Sequence, residues 1–200
     1  MSKQLIIVFV KNIKLGKVKT RLAKTIGDDG AFKVYKALVN LTEKATNTIT
    51  VDKRIYFSDL VVTTKWMNSQ KEVQQGTNLG ERMYNAFKKG FDDGYENIVL
   101  IGSDLPDISE TIILQGLDTL KKTDVVFGPA EDGGYYLIGL TKAHEFIFKN
   151  KPWSQPNLLE ITLNELKIHN LEYTLLEIMN DIDTFEDLKK SPLFKTFKYD

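Results

Sequence analysis

The chain has 200 residues, enough for one well-cored domain and short for two. Lys and Arg number 27, as do Asp and Glu, so the formal charge is zero. That balance argues against a nonspecific nucleic-acid binder, which needs a basic surplus to displace counterions. With no cysteine, disulfides, thiolate metal sites and cysteine nucleophiles are excluded, and a cytoplasmic location fits. Only His144 and His169 are present, which rules out a multi-histidine zinc site. The longest early apolar run, Leu5 to Val10, is too short for a signal-peptide core or a membrane span.

In chain order, LIIVFV at 5–10 does not alternate and reads as a strand buried on both faces. A basic loop follows, and Asp28 or Asp29 can cap a long helix whose Phe32, Tyr35, Leu38, Val39, Thr42 and Ala45 fall at helical spacing. RIYFS at 54–58 reads as a strand, and residues 59–78 carry the weakest pattern. Leu79, Met83, Ala86 and Phe87 mark one face of a helix. NIVLIG at 97–102 is a further buried strand, and Ser109 caps a helix with Ile113, Leu117 and Leu120 facing inward. DVVFG at 124–128 and YYLIGL at 135–140 are strands. Ser154 and Pro156 suit a helix start before Leu159, Leu163 and Leu166. LEYTLL at 171–176 is a late strand, and Asp183 with Glu186 has capping-box spacing for a short last helix. The alternation predicts one α/β domain over 1–200, a three-layer sandwich around a mostly parallel sheet. Ligands of such sheets bind beyond the carboxyl ends of the strands.

The loops at those ends carry the chemistry. In KNIKLGKVKTRL at 11–22, Lys11, Lys14, Lys17, Lys19 and Arg21 surround Gly16, a flexible cationic loop suited to an anion. A solvated charged loop is the competing reading. The stretch is neither a Walker A loop nor a dinucleotide GxGxxG. GSDLPD at 102–107 puts Asp104 just past a buried strand, where a carboxylate suits Mg²⁺ or Mn²⁺; Asp107 reads as a turn or helix-start residue. In GPAEDGGYYLIGL at 128–140, Glu131 and Asp132 offer a base or an acceptor-hydroxyl binder, and Gly133 and Gly134 let backbone approach a ligand. Asp-Gly is equally a hairpin signal. Tyr135 and Tyr136 point to opposite strand faces, so at most one of them lines a site. In NDIDTFEDL at 180–188, Asp181 and Asp183 share one side of an extended segment. In QQGTNLGERM at 74–83, Gly76 and Gly80 flank a helix start, and Arg82 in the first turn needs an anionic partner: Glu81, another carboxylate or a ligand.

Taken together, KNIKLGKVKTRLA, QGTNLGERM, GSDLPD, GPAEDGGYYLIG and DIDTFEDL resemble the glycosyltransferase family described as selenodomain-associated transferases. The resemblance implies the nucleotide-diphospho-sugar transferase (GT-A) fold, which also serves sugar nucleotidyltransferases. It implies Lys19 and Arg21 on phosphate, Asp104 with Asp183 on Mg²⁺ or Mn²⁺, and Gly80 with its neighbours on the nucleoside. The family's first loop carries prolines where Ile13 and Leu15 stand here. The expected activity is glycosyl transfer from a nucleoside diphosphate sugar to an acceptor that the sequence does not name. Nucleotidyl transfer with pyrophosphate release is the second reading, and a non-catalytic nucleotide-binding module the third. Pyrophosphate from a nucleoside triphosphate would mark the second, and binding without turnover the third.

Overall fold

A computed structural model of the protein describes residues 3–197. Its centre is a seven-stranded sheet in the order β3-β2-β1-β4-β6-β5-β7. The strands are β1 (Gln4–Val10), β2 (Asp52–Phe57), β3 (Gln70–Val73), β4 (Asn97–Ile101), β5 (Val125–Pro129), β6 (Tyr135–Leu140) and β7 (Tyr173–Leu175). Strand β1 pairs in parallel with both β2 and β4. Only β6 runs against its neighbours, between β4 and β5.

The unbroken apolar run of β1 now has a cause. Ile6, Val8 and Val10 enter one core with helix α1 (Thr20–Asn47) and helix α3 (Glu110–Thr119). Leu5, Ile7 and Phe9 enter a second core with α2 (Leu79–Asp92) and α4 (Leu158–Ile168). Each face of the sheet is covered, giving the expected three layers. A short helix, α5 (Phe185–Lys190), joins the first core through Leu188.

Several local expectations shift. Helix α1 starts at Thr20 rather than at Asp28 or Asp29, and it breaks at Gly27 (φ 74°, ψ 167°). That left-handed φ is open to glycine and closed to most side chains, so the expected boundary survives as a kink. In α2, Leu79 is 46% exposed, while Met83, Ala86 and Phe87 face the core. Strand β3 falls within the weakly patterned stretch. Its Gln-Lys-Glu-Val sequence carries no apolar alternation because it is a polar edge strand. Ser109 caps α3 as expected, accepting from the Ile112 amide. Helix α5 is capped one residue later than its spacing suggested: Thr184 and Asp187 form the capping box, and Asp183 has no part in it as the cap.

Candidate active site

The order of strands reverses at the β1–β4 pair: the chain builds β2 and β3 on one side of β1, then crosses to β4 on the other. A crevice is expected outside the carboxyl ends of these strands. A cleft of about 620 Å³ lies there, lined by residues following β1, β2 and β4, by the β5–β6 turn, and by residues 181 and 183.

The loop after β1 is fixed by three polar residues. The Tyr35 hydroxyl, from α1, accepts from the Lys11 amide at 3.0 Å and lies 2.9 Å from the Ser103 hydroxyl. One side chain thus ties the loops of β1 and β4, and burial raises its pKa further above the ordinary phenol value. Asn12 is buried at 6% exposure. Its Oδ1 accepts from the Asp59 and Leu60 amides at 2.8 and 3.2 Å, and its Nδ2 donates to the Leu60 carbonyl at 2.8 Å. It replaces backbone pairing between the loops of β1 and β2. Both residues escaped the sequence reading. Tyr35 looked like a core position at helical spacing, and an isolated Asn in a loop carries no pattern.

Within the basic segment the residues separate sharply. Lys11 lines the cleft. Lys14 pairs with Asp59 at 3.3 Å, with both side chains half exposed. Gly16 lies outside the cleft lining, and a side chain there would meet Asp28 instead. Lys19 is the N-cap of α1 in a left-handed conformation (φ 48°, ψ 48°), which costs a non-glycine residue about 1 kcal/mol. Its side chain is only 4% exposed, and its ammonium sits 3.2 Å from Asp104 Oδ2 and 3.0 Å from Asp183 Oδ1. Arg21 reaches the other Asp183 oxygen at 3.5 Å from a 66% exposed position.

The carboxylates come from distant segments. Asp104 follows β4, and the Ile182 amide donates to its carbonyl at 3.4 Å, stitching 181–183 beside it. Because Thr184 does the capping, the Asp183 carboxylate is left for Lys19 and Arg21. Asp181 also lines the cleft. Burial pushes its pKa up to about 6; Lys19 opposes this, and the negative charges of Asp183, Asp104 and Asp132 add to it. Lys19 itself is lowered by burial but raised further by Asp104, Asp183 and Asp181, so its ammonium is held more firmly than in water.

The acidic turn 130–134 is the β5–β6 hairpin connection and borders the cleft as well. Asp132 Oδ1 accepts from the Gly134 amide at 2.9 Å, and both residues line the cleft. Glu131 is exposed and outside the lining. Gly133 (φ 87°) serves packing: a Cβ there would lie 1.9 Å from the Pro156 carbonyl oxygen. Tyr135 and Tyr136 both line the cleft, against the expectation that one strand allows only one, because they sit where β6 begins at the cleft edge. The Tyr136 hydroxyl donates to the Glu177 carbonyl at 2.9 Å, whereas the buried Tyr135 hydroxyl has no hydrogen-bond partner among the described residues.

At the start of α2, Asn78 caps the helix, and Glu81 accepts from the Thr77 amide and hydroxyl. Glu81 is therefore not the partner of Arg82, which donates to the Gly76 carbonyl at 3.1 Å and lines the cleft. Gly80 is a correction: it packs against Phe148, where a Cβ would lie 2.2 Å from the carbonyl oxygen, and does not line the cleft. Trp153 lines the cleft, whereas Trp66 is fully buried with its indole donating to the Thr46 hydroxyl at 2.8 Å.

Residues 42–155 match the model of a family described as an uncharacterized protein conserved in bacteria (DUF2064). No curated protein matches the sequence. The chain is 35% identical to a solved protein of Desulfovibrio desulfuricans provisionally described as a nucleotide-diphospho-sugar transferase, with a TM-score of 0.87 over 94% of this chain and 85% of that one. A cytidylyltransferase of Leptospira borgpetersenii is similar at 13% identity and a TM-score of 0.63, covering 99% of this chain and 89% of that one. A Mycobacterium tuberculosis protein solved with manganese is similar at 11% identity and a TM-score of 0.54, covering 94% of this chain and 97% of that one. The fold is therefore that of the nucleotide-diphospho-sugar transferases, as the motifs implied.

Proposed function

This chain belongs to the bacterial family DUF2064, and from that membership and the charges in its cleft we propose that it is a nucleotide-using transferase. The reading is carried by one observation. Asp104, Asp183 and Lys19, distant in sequence, converge within ion-pair distance at the switch point of the sheet. The resemblance to a nucleotide-diphospho-sugar transferase makes glycosyl transfer from a nucleoside diphosphate sugar the leading activity.

The donor set suits a divalent ion. Asp104 and Asp183 already share one cationic group, and Asp181, whose pKa is raised first by burial and then by the charges of Asp183 and Asp104, lines the same cleft. Among the described residues no cluster of three or more metal-ligating side chains is arranged to hold an ion alone. Mg²⁺ commonly takes one or two protein carboxylates and fills its shell with phosphate oxygens and water. Asp104 and Asp183 would hold the ion, with Asp181 beside them. When bound, the ion supplies charge neutralisation to the departing diphosphate.

The chain's own residues do the rest. Lys11 and Arg82 line the cleft and present positive charge to the diphosphate, and Lys19 and Arg21 add to it from their places beside Asp183. Asp132, fixed by the Gly134 amide, faces the cleft opposite the β1 loop as acceptor of a hydroxyl proton. Gly134 and Tyr135 line the acceptor side.

Asp104→Asn keeps the shape of the side chain and removes its charge. Calorimetry with CDP, GDP and UDP in Mn²⁺ is expected to show at least tenfold weaker binding by the variant, with little difference in EDTA. Equal affinity of both proteins in Mn²⁺ for every nucleotide that binds would end the metal part of this reading.

Nucleotidyl transfer is the second reading. It is favoured by the similarity in fold to a cytidylyltransferase and by enough cations around the cleft for a triphosphate. The product decides: pyrophosphate from a nucleoside triphosphate supports it, and free nucleoside diphosphate from a sugar donor supports glycosyl transfer.

A further inference from the structure

We propose that Lys19 is a resident counter-ion for the metal carboxylates, displaced by the divalent ion and then taken up by the nucleotide's phosphates. The inference rests on the metal part of the reading above and adds an order of events to it: without metal, the protein's own cation partly neutralises the two carboxylates.

Three observations carry it. The ammonium lies within ion-pair distance of both Asp104 Oδ2 and Asp183 Oδ1, at 3.2 and 3.0 Å, and so occupies the two carboxylates that would hold the ion. The side chain is 4% exposed although it belongs to a loop whose other lysines, Lys11, Lys14 and Lys17, are exposed. Its backbone holds, at the N-cap of α1, a left-handed conformation that a lysine adopts at a cost, which marks the residue as one the surrounding structure constrains.

A divalent cation on these carboxylates would repel the ammonium, because like charges at contact distance repel strongly in a partly buried site. Two carboxylates with Lys19 leave one negative charge; with a divalent ion they are neutral, and Lys19 is released carrying its charge. The four-carbon stem of lysine allows the head group to swing while the backbone stays fixed. Asp104 and Asp183, the partners of Lys19, line the cleft together with Lys11 and Arg82, so a diphosphate bound there offers oxygens to the freed ammonium. Metal binding alone loses the Lys19 contacts, whereas metal with nucleotide regains them on phosphate. The two ligands are therefore expected to bind with positive coupling, and linkage makes the coupling reciprocal.

The test compares wild type, Lys19→Met and Lys19→Arg, each first shown to be folded by its melting curve. Mn²⁺ affinity without nucleotide is read from the electron paramagnetic resonance signal of free Mn²⁺. Lys19→Met is expected to bind Mn²⁺ at least tenfold more tightly than wild type, and Lys19→Arg to remain within about threefold of wild type. A second readout uses wild type only. Acetic anhydride labelling followed by mass spectrometry should find Lys19 protected without metal and labelled when Mg²⁺ saturates the site. Equal or weaker Mn²⁺ binding by Lys19→Met, or Lys19 labelling unchanged by saturating Mg²⁺, overturns the inference and leaves the metal site intact. Absence of Mn²⁺ binding by all three proteins, with or without CDP, GDP or UDP, overturns the inference together with the metal site.

Discussion

At the scale of single residues, Asp181 shows most directly how the cleft is charged. Burial raises its pKa to about 6, and the carboxylates of Asp183, Asp104 and Asp132 add to that against the pull of Lys19. The folded protein therefore holds this proton more tightly than the unfolded chain does. Its contribution to stability is complete below about pH 4 and is lost as pH rises through about 6. Asp181→Asn removes the titration. The variant is expected to be more stable than wild type at pH 7.5, by up to about 3 kcal/mol, and no more stable at pH 4. Urea denaturation of both proteins at the two pH values checks this, and a constant difference between them would contradict it. The gain would accompany loss of function: a group that destabilises the empty cleft is one that a bound cation relieves.

At the scale of elements, the two glycines of the acidic turn have different tasks. Gly133 turns in the left-handed region against the Pro156 backbone, so Gly133→Ala meets both a forbidden φ and a carbonyl oxygen. We expect it to lose about 2 kcal/mol or more of stability. At Gly134 a Cβ would meet only the Asp132 carboxylate, at 3.1 Å, which can give. Gly134→Ala should stay within about 1 kcal/mol of wild type in urea denaturation while weakening catalysis, since it disturbs the side chain placed against the acceptor. Equal losses of stability in both variants would refute the division. Most elements were legible from the sequence for reasons this turn illustrates. Continuous apolar runs become central strands, and Ser109 or Asp-Gly marks a boundary through local hydrogen bonding or backbone conformation. What escaped was non-local or polar. Strand β3 has no apolar face, the capping box at 184–187 differs from the expected one by a single residue, and Tyr35 and Asn12 act through partners far along the chain. The placement of Lys19 was also hidden, because it and its four cationic neighbours in the loop look alike until burial separates them.

At the scale of the whole molecule, the cleft is an assembly of loops that only the complete sheet brings together. Ligands bound there stabilise the folded state by mass action. A nucleoside di- or triphosphate at about a hundred times its Kd, with Mn²⁺, should add about 2.7 kcal/mol and raise Tm by roughly 5–10 °C for a chain of this size. The rise is expected to shrink markedly in EDTA; a shift of equal size with and without metal would argue that the phosphates are held by side chains alone. No helix of the described residues is long and apolar enough to cross a membrane.

The reversed direction of β6 has a consequence for how this molecule comes together. Because β6 turns straight back along β5, the acidic turn between them closes through a pairing of near neighbours, Pro129 with Tyr135. The opposite wall depends on β1 meeting β4, where Gln4 aligns with Asn97 across a much longer stretch of chain. Short-range contacts form at small entropic expense and long-range ones late. A refolding chain can thus own its acidic hairpin before it owns a pocket, because the pocket also waits for Asp183 to reach Lys19 across 164 residues of chain.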